Sequence, residues 1–108
     1  MTNVHQYWIY ILSNSIRSVL YIGMTNDLYR RYMEHQQGLI DGFTKKYKCH
    51  SLLYYEEFNQ IEEAIAREKQ LKGWNRKKKE EQIRCQNPFF KDLAEPMGWT
   101  DTNPSAKL

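Results

Sequence analysis

The chain has 108 residues, with 16 basic and 13 acidic side chains and a formal net charge of +3. This length allows one domain with one core and excludes a multidomain enzyme, and a hydrophobic content of 41% excludes wholesale disorder. The apolar runs are too short for a membrane-spanning helix, and the N-terminus lacks the basic and apolar regions of a secretory signal. We therefore expect a cytoplasmic protein with no membrane partner.

Two runs of β-branched and aromatic residues predict strands over residues 7–12 and 19–22, the second closed by Gly23. The polar residues 13–18 between them predict a hairpin loop, so that the two strands lie antiparallel. A third strand is predicted over residues 52–58.

The first predicted helix spans residues 28–37 and ends at Gly38, after three side chains that can cap a helix: Thr25, Asn26 and Asp27. Helical spacing puts four residues of this helix on one face: Leu28, Arg31, Tyr32 and His35. A cation and an imidazole are therefore predicted to point inward. Residues 38–50 predict an irregular loop with several lysines.

A second predicted helix opens with a capping box formed by Asn59 and Glu62 and ends at Gly73. Its apolar stripe is Ile61, Ala64, Ile65 and Leu71. Glu68 lies on that stripe, and an unpaired buried carboxylate costs several kcal/mol, so the position requires an Arg, a Lys or a metal ion as partner.

The helical pattern continues over residues 74–84, with Trp74 and Ile83 as apolar markers. The composition after residue 94 predicts a weakly ordered tail over residues 95–108, on which Trp99 could still dock, following a folded domain over residues 1–94. The fold class is α+β: a three-stranded antiparallel sheet flanked by helices, in the order β-β-α-β-α. Cys49 and Cys85 match neither a zinc-site nor a redox spacing.

Two tripeptides stand out, Trp8 to Tyr10 and Tyr21 to Gly23, with ten residues between their tyrosines. The segments that follow them include residues 25–28, Arg31 and residues 67–74. In this arrangement the chain resembles the GIY-YIG nuclease superfamily over residues 7–93, in particular its small stand-alone bacterial members. It departs from that pattern at Trp8, where the motif has Gly, and at Met24, where some relatives carry a Lys near the scissile phosphate.

The resemblance implies an endonuclease that hydrolyses DNA phosphodiester bonds with low sequence specificity, using a single Mg²⁺ or Mn²⁺ ion. It assigns the metal to Glu68, transition-state charge to Arg31, and water activation to Tyr10 and Tyr21, with His35 nearby. A free phenol has a pKa of ~10, so the metal, Arg31 or His35 must stabilise the phenolate or take its proton. The sequence leaves these routes open.

A basic segment follows Glu68 and predicts contacts with phosphate groups through Lys72, Arg76, Lys77, Lys78 and Lys79. The expected partner is DNA, nicked or structured, in repair or recombination; RNA, a targeting protein and the oligomeric state are left open. The alternative function is a catalytically weak nucleic-acid-binding domain. A protein-interaction domain that uses Glu56, Glu57, Glu62 and Glu63 would not explain the inward polar groups. For Arg31, the alternative to a catalytic role is a structural ion pair with Glu68.

Overall fold

The computed structural model of the protein describes residues 5–100. Within these residues, seven elements follow one another: β1 (Tyr7–Ser13), β2 (Leu20–Thr25), α1 (Leu28–Gln36), α2 (Phe43–Lys46), β3 (Ser51–Phe58), α3 (Ile61–Gly73) and α4 (Arg76–Gln86). The strands form one antiparallel sheet in the order β2-β1-β3. The predicted α+β class and three-stranded sheet are confirmed.

Alternate side chains of β1 point to opposite faces of the sheet and divide the molecule in two. On one side, Ile9 and Ile11 are completely buried and join Leu71 of α3 and Ile83 of α4 in a mainly aliphatic cluster. We call this side the aliphatic face. On the other side, which we call the aromatic face, Trp8, Tyr10 and Leu12 belong to a cluster completed by α1 and the C-terminal segment.

The start of α1 follows the prediction closely. Asp27 caps the helix, its carboxylate accepting a hydrogen bond from the backbone N–H of Arg30 at 3.0 Å. Helical periodicity placed three residues correctly against the sheet, since Leu28, Tyr32 and His35 are all buried. α1 ends at Gln36, one residue before the predicted end.

Two predictions on the aromatic face are wrong in detail. β2 does not close at Gly23 but runs through it to Thr25, because the missing side chain leaves room for Tyr10: a Cβ at Gly23 would lie 2.5 Å from both Cζ and Oη of that tyrosine. Residues 38–50 are not wholly irregular, because they contain α2. Gly42 precedes this helix at a φ of 98°, in the left-handed region that glycine adopts most readily.

The predicted capping box of α3 is also wrong. The N-cap is Gln60, which makes no side-chain capping bond, and this leaves Asn59 one position too early to cap. Ala64 and Leu71 are buried as predicted, whereas Ile61 and Ile65 are exposed, because the helix rests on the sheet along a narrower seam than the stripe suggested. Glu68 is therefore half-buried at the margin of this seam and not in the core.

α4 follows the break predicted at Gly73 but begins at Arg76, two residues after the predicted start at Trp74. The chain leaves the helical conformation at Trp74, and the Asn75 side chain then caps α4 by accepting a hydrogen bond from the backbone N–H of Lys78 at 2.8 Å. Trp74 is half-buried, with the Arg67 guanidinium 5.2 Å and the Lys78 ammonium 4.5 Å from its ring.

The C-terminal segment covers part of the aromatic face. Trp99 packs against Tyr29 and Tyr32, with ring centroids 5.2 and 5.6 Å apart, and Ala94 is completely buried. Residues 101–108 of the predicted tail lie outside the described residues, and the domain division at residue 94 stays a prediction. Among residues 5–100, no helix is long and apolar enough to span a membrane.

Candidate active site

A buried chain of hydrogen bonds links β1, α1 and α2 on the aromatic face. The Tyr10 hydroxyl lies 2.9 Å from His35 Nε2, and His35 Nδ1 lies 2.9 Å from the Thr44 hydroxyl. All three side chains are buried, with at most 3% of each residue exposed. Because both ring nitrogens have a partner, the imidazole is held in one orientation.

Burial keeps the two titratable members of this chain neutral near pH 7. It lowers the pKa of His35 to about 4, with a further lowering from the charge of Arg31. It raises the pKa of Tyr10 to about 12, against a smaller opposing effect of Arg31. A neutral imidazole has one donor and one acceptor nitrogen. The tautomer of His35 sets the direction of both bonds: one ring nitrogen donates to its hydroxyl partner, and the other accepts from the second hydroxyl.

Tyr21 lies beside this buried chain and is more exposed than Tyr10. Its ring centroid is 6.3 Å from that of Tyr10 and 5.7 Å from that of His35. On its other side, the ring stacks against Phe43 of α2, with centroids 6.2 Å apart. Of the two motif tyrosines, Tyr21 is therefore the one that an external molecule can reach more easily.

Arg31 is held at the edge of the same cluster. Its Nε donates to Glu34 at 3.0 Å and its Nη1 donates to the Met24 carbonyl at 3.4 Å, while 30% of the side chain remains exposed. The alternative of an ion pair between Arg31 and Glu68 is wrong, because each side chain has a different partner. Its charge also acts on Tyr10, because the two side chains contribute to each other's pKa shifts.

Glu68 approaches the site from α3. Its Oε2 lies 3.1 Å from the Lys72 ammonium one helical turn on, and 21% of its side chain is exposed. Its charge adds a small contribution to the raised pKa of Tyr10. Lys72 also lines a groove of about 200 Å³ along β2, together with Tyr21 and Phe43.

The donor set limits how a metal ion can be held. Within residues 5–100 no group of three or more His, Cys, Asp or Glu side chains is placed to bind one. Mg²⁺ is commonly bound by one or two carboxylates, with water and substrate phosphate completing its octahedron. Glu68, partly exposed and paired with Lys72 of the groove, fits such an ion as a one-carboxylate site.

The predicted phosphate-contacting residues are placed differently from one another. Lys72 and Lys79 line the groove beside Tyr21. Arg76 instead donates to the carbonyls of Arg17 and Ser18 at 2.6 and 3.0 Å, and thereby ties α4 to the β1–β2 hairpin. Lys78 covers the Trp74 ring, and Lys77 is exposed on α4.

Sequence reasoning missed three residues that shape the site. Thr44 orients His35, Glu34 holds Arg31, and Phe43 stacks on Tyr21. The first and third lie in α2, which was predicted as loop. The sequence contains one indication that this segment is ordered: Gly42 directly precedes a Phe and a Thr inside a lysine-rich segment.

The comparisons with known proteins agree with this arrangement. A family model that describes the GIY-YIG catalytic domain matches residues 6–81. The chain belongs to the GIY-YIG family. The matched range contains the site residues from Tyr10 to Lys79, and the family supports a nuclease-like role that involves nucleic-acid binding.

Relatives and a solved structure extend this family assignment. A UPF0213 protein of Bacillus pumilus is 38% identical over 76 residues, which cover 70% of this chain and 76% of that protein. A second, from Bacillus velezensis, is 34% identical over 76% of this chain and 80% of its own. A UPF0213 protein of Bacillus halodurans, solved by NMR in solution, matches with a TM-score of 0.54 and 27% identity, over 83% of this chain and 95% of that one. These names state no activity.

Proposed function

We propose that this GIY-YIG domain is a metal-dependent endonuclease that hydrolyses phosphodiester bonds in DNA with low sequence specificity, on nicked or structured DNA in repair or recombination. One observation carries the proposal. Tyr21 packs beside Tyr10 and His35 and also lines a groove with Lys72 and Lys79, and Lys72 is paired with the Glu68 carboxylate. The reaction needs this combination of charge stabilisation, metal binding and water positioning.

Glu68 would hold the Mg²⁺ or Mn²⁺ ion, which stabilises charge on the phosphoryl oxygens and lowers the pKa of bound water. Lys72 and Lys79 would place the strand in the groove through its phosphates. Arg31 would stabilise the negative charge that develops during attack. Because Glu34 and the Met24 carbonyl already fix its guanidinium, little reorganisation is needed at that moment.

Tyr21 is assigned to contact the attacking water, because it borders the groove whereas Tyr10 is 1% exposed. Tyr10, His35 and Thr44 are assigned to hold the site in place behind it. His35 is neutral near pH 7 and therefore adds no positive charge against Arg31. This assignment distinguishes a residue that touches the substrate from residues that position it.

The direct test compares cleavage of supercoiled, single-stranded and branched DNA, with an RNA control, in Mg²⁺ or Mn²⁺. Glu68→Gln should lower the cleavage rate by at least about a hundredfold, because a catalytic metal supplies several kcal/mol. DNA binding should change little. Glu63→Gln, an exposed position on the same helix, is the matched control and should cleave like the wild type.

The outcomes separate the candidate functions. Metal-dependent cleavage that Glu68→Gln removes supports the nuclease, and preferential cleavage of the RNA control would replace DNA as the substrate. Salt-sensitive binding without cleavage of any substrate would favour the nucleic-acid-binding domain. Equal rates for wild type and Glu68→Gln would remove the metal role from this carboxylate.

A further inference from the structure

Two aromatic rings are exposed next to the candidate active site. Phe43 and Tyr47, at the beginning and just after the end of α2, are 42% and 41% exposed, and their ring centroids lie 4.7 Å apart. Phe43 also stacks on Tyr21, with 24° between the ring planes. The rings thus lead from the groove to the surface, and we call Phe43 and Tyr47 the α2 platform.

Anchoring α2 does not require exposed rings. Thr44 holds this short helix to the rest of the molecule through its buried bond to His35. Leaving two large rings half in water forgoes the stabilisation that their burial would bring. The platform therefore has apolar area available for a ligand.

The surroundings of the platform are basic. Five lysines lie on α2, directly after it, or along the adjoining groove: Lys45, Lys46, Lys48, Lys72 and Lys79. Lys46 places its ammonium 5.3 Å from the Tyr47 ring centroid. Flat aromatic faces among lysines are what a nucleic-acid strand with unpaired bases requires, because the bases stack while the lysines neutralise phosphates.

We propose that the α2 platform stacks on unpaired bases of the DNA strand that occupies the groove, so that the preferred substrates contain a single-stranded stretch. In a duplex, neighbouring base pairs cover each base face, whereas an unpaired base offers a free face. The inference rests on the proposed function for its placement beside the scissile phosphate. The binding itself requires no cleavage.

A second aromatic cleft fits this role less well. Trp8, Tyr29, Tyr55 and Trp99 line a cavity of about 430 Å³ near the start of α1. Among the described residues that line it, the charged side chain is Asp27, an acid, and no lysine or arginine takes part. One cation, Arg30, stands at its rim, but it is already bonded to Asn26 at 3.0 Å and lies 4.0 Å from the Asp27 carboxylate. Charge complementarity with a phosphate backbone therefore favours the α2 platform.

The test measures binding by fluorescence anisotropy in EDTA, with a labelled single-stranded oligodeoxythymidine and a duplex of equal length. Phe43→Leu and Tyr47→Leu should each weaken single-strand binding about tenfold and leave duplex binding within about twofold, since base stacking accounts for much of the single-strand affinity. Phe89→Leu is the matched control, because Phe89 is 80% exposed and lies after α4, outside the groove. It should bind both ligands like the wild type.

A 2-aminopurine in the oligonucleotide reports stacking directly, and its quenching by the wild type should diminish in both platform variants. Unchanged single-strand affinity, or an equal loss for strand and duplex, would overturn the proposal. Tighter binding of oligouridine than of oligothymidine would overturn the choice of DNA. If Phe43→Leu fails to fold, Tyr47→Leu decides. Because these measurements exclude metal, absence of cleavage would defeat the nuclease proposal without affecting this result.

Discussion

The two faces of the sheet differ in what their side chains offer, although the same strands build both. On the aliphatic face, Ile9 and Ile11 pack against two helices of 13 and 11 residues. On the aromatic face, Tyr10 packs against the nine-residue α1 and makes a hydrogen bond to its imidazole. The alternation of side chains along β1 separates these environments, because successive residues of a strand point to opposite faces of the sheet.

The difference indicates a division of labour within a small domain. The aliphatic face stabilises the fold through apolar burial, which needs no particular geometry of polar atoms. The aromatic face also buries area, but its hydroxyl and imidazole groups must keep their partners, since an unpaired buried polar group costs about 1–3 kcal/mol. Substitutions of buried residues on the aliphatic face should therefore change stability alone, whereas substitutions on the aromatic face should change stability and chemistry together.

The largest expected effect is on stability alone. Leu71→Ala on the aliphatic face should lower the free energy of unfolding by about 2–5 kcal/mol, because Leu71 is completely buried and the substitution leaves a cavity. Cleavage per folded molecule should stay unchanged. Leu39→Ala, at a leucine 66% exposed, should change stability by less than about 0.5 kcal/mol. Denaturant unfolding measures the stability of both variants. A loss of cleavage in folded Leu71→Ala protein would contradict the separation of stability on the aliphatic face from chemistry on the aromatic face.

The second effect is a pH dependence of stability that originates on the aromatic face. Burial and the charge of Arg31 lower the pKa of His35 to about 4, whereas Glu34 opposes and His50 adds to this lowering. Below pH 6.5 the unfolded chain takes up a proton that the folded chain does not, so stability is complete above pH 6.5 and falls toward pH 4. The loss is roughly 3 kcal/mol from this group.

Urea unfolding at a series of pH values measures this slope. His35→Gln should flatten it between pH 6.5 and 4, whereas His50→Gln, at an exposed histidine, should retain most of it. A wild-type stability that rises as the pH falls through this range would contradict a neutral His35.

The third effect tests the contact between Gly23 and Tyr10. Gly23→Ala would place a Cβ 2.5 Å from the Tyr10 ring and hydroxyl, so Tyr10 or β2 must shift, at a cost of about 1–3 kcal/mol. Cleavage should fall as well, because the shift disturbs the bond to His35. Gly73→Ala meets nothing within 4 Å and should be neutral or slightly stabilising. Thermal unfolding and a cleavage assay separate these results.

Local patterns in the sequence predicted much of the fold. The strands, the face of α1 and the antiparallel sheet follow from side-chain periodicity and capping chemistry near Asp27. The start of α3 was mispredicted because a capping box is a pattern of residue types, and which residue caps depends on where the helix docks. α2 was missed because four residues are too few to show a helical period.

The candidate site could be predicted as a set of residues but not as a set of contacts. The resemblance and the periodicity together selected Tyr10, Tyr21, Arg31, His35 and Glu68. The partners of these residues depend on tertiary structure. Thr44, in a segment for which no helix or strand was predicted, contacts His35. Arg31 pairs with Glu34 and not with Glu68. Whether the selected residues act as assigned stays a prediction for the cleavage experiments.

The smallest expected effect distinguishes two lysines of α4 that look alike in the sequence. Lys79 lines the groove beside Tyr21, whereas Lys77 is exposed on the helix and does not line it. Lys79→Ala should weaken duplex DNA binding and reduce the slope of log affinity against log salt by about 0.9, the value for one lost phosphate contact. Lys77→Ala should change that slope less. Equal slopes for the two variants would mean that the whole exposed surface of α4, and not the groove, holds the strand.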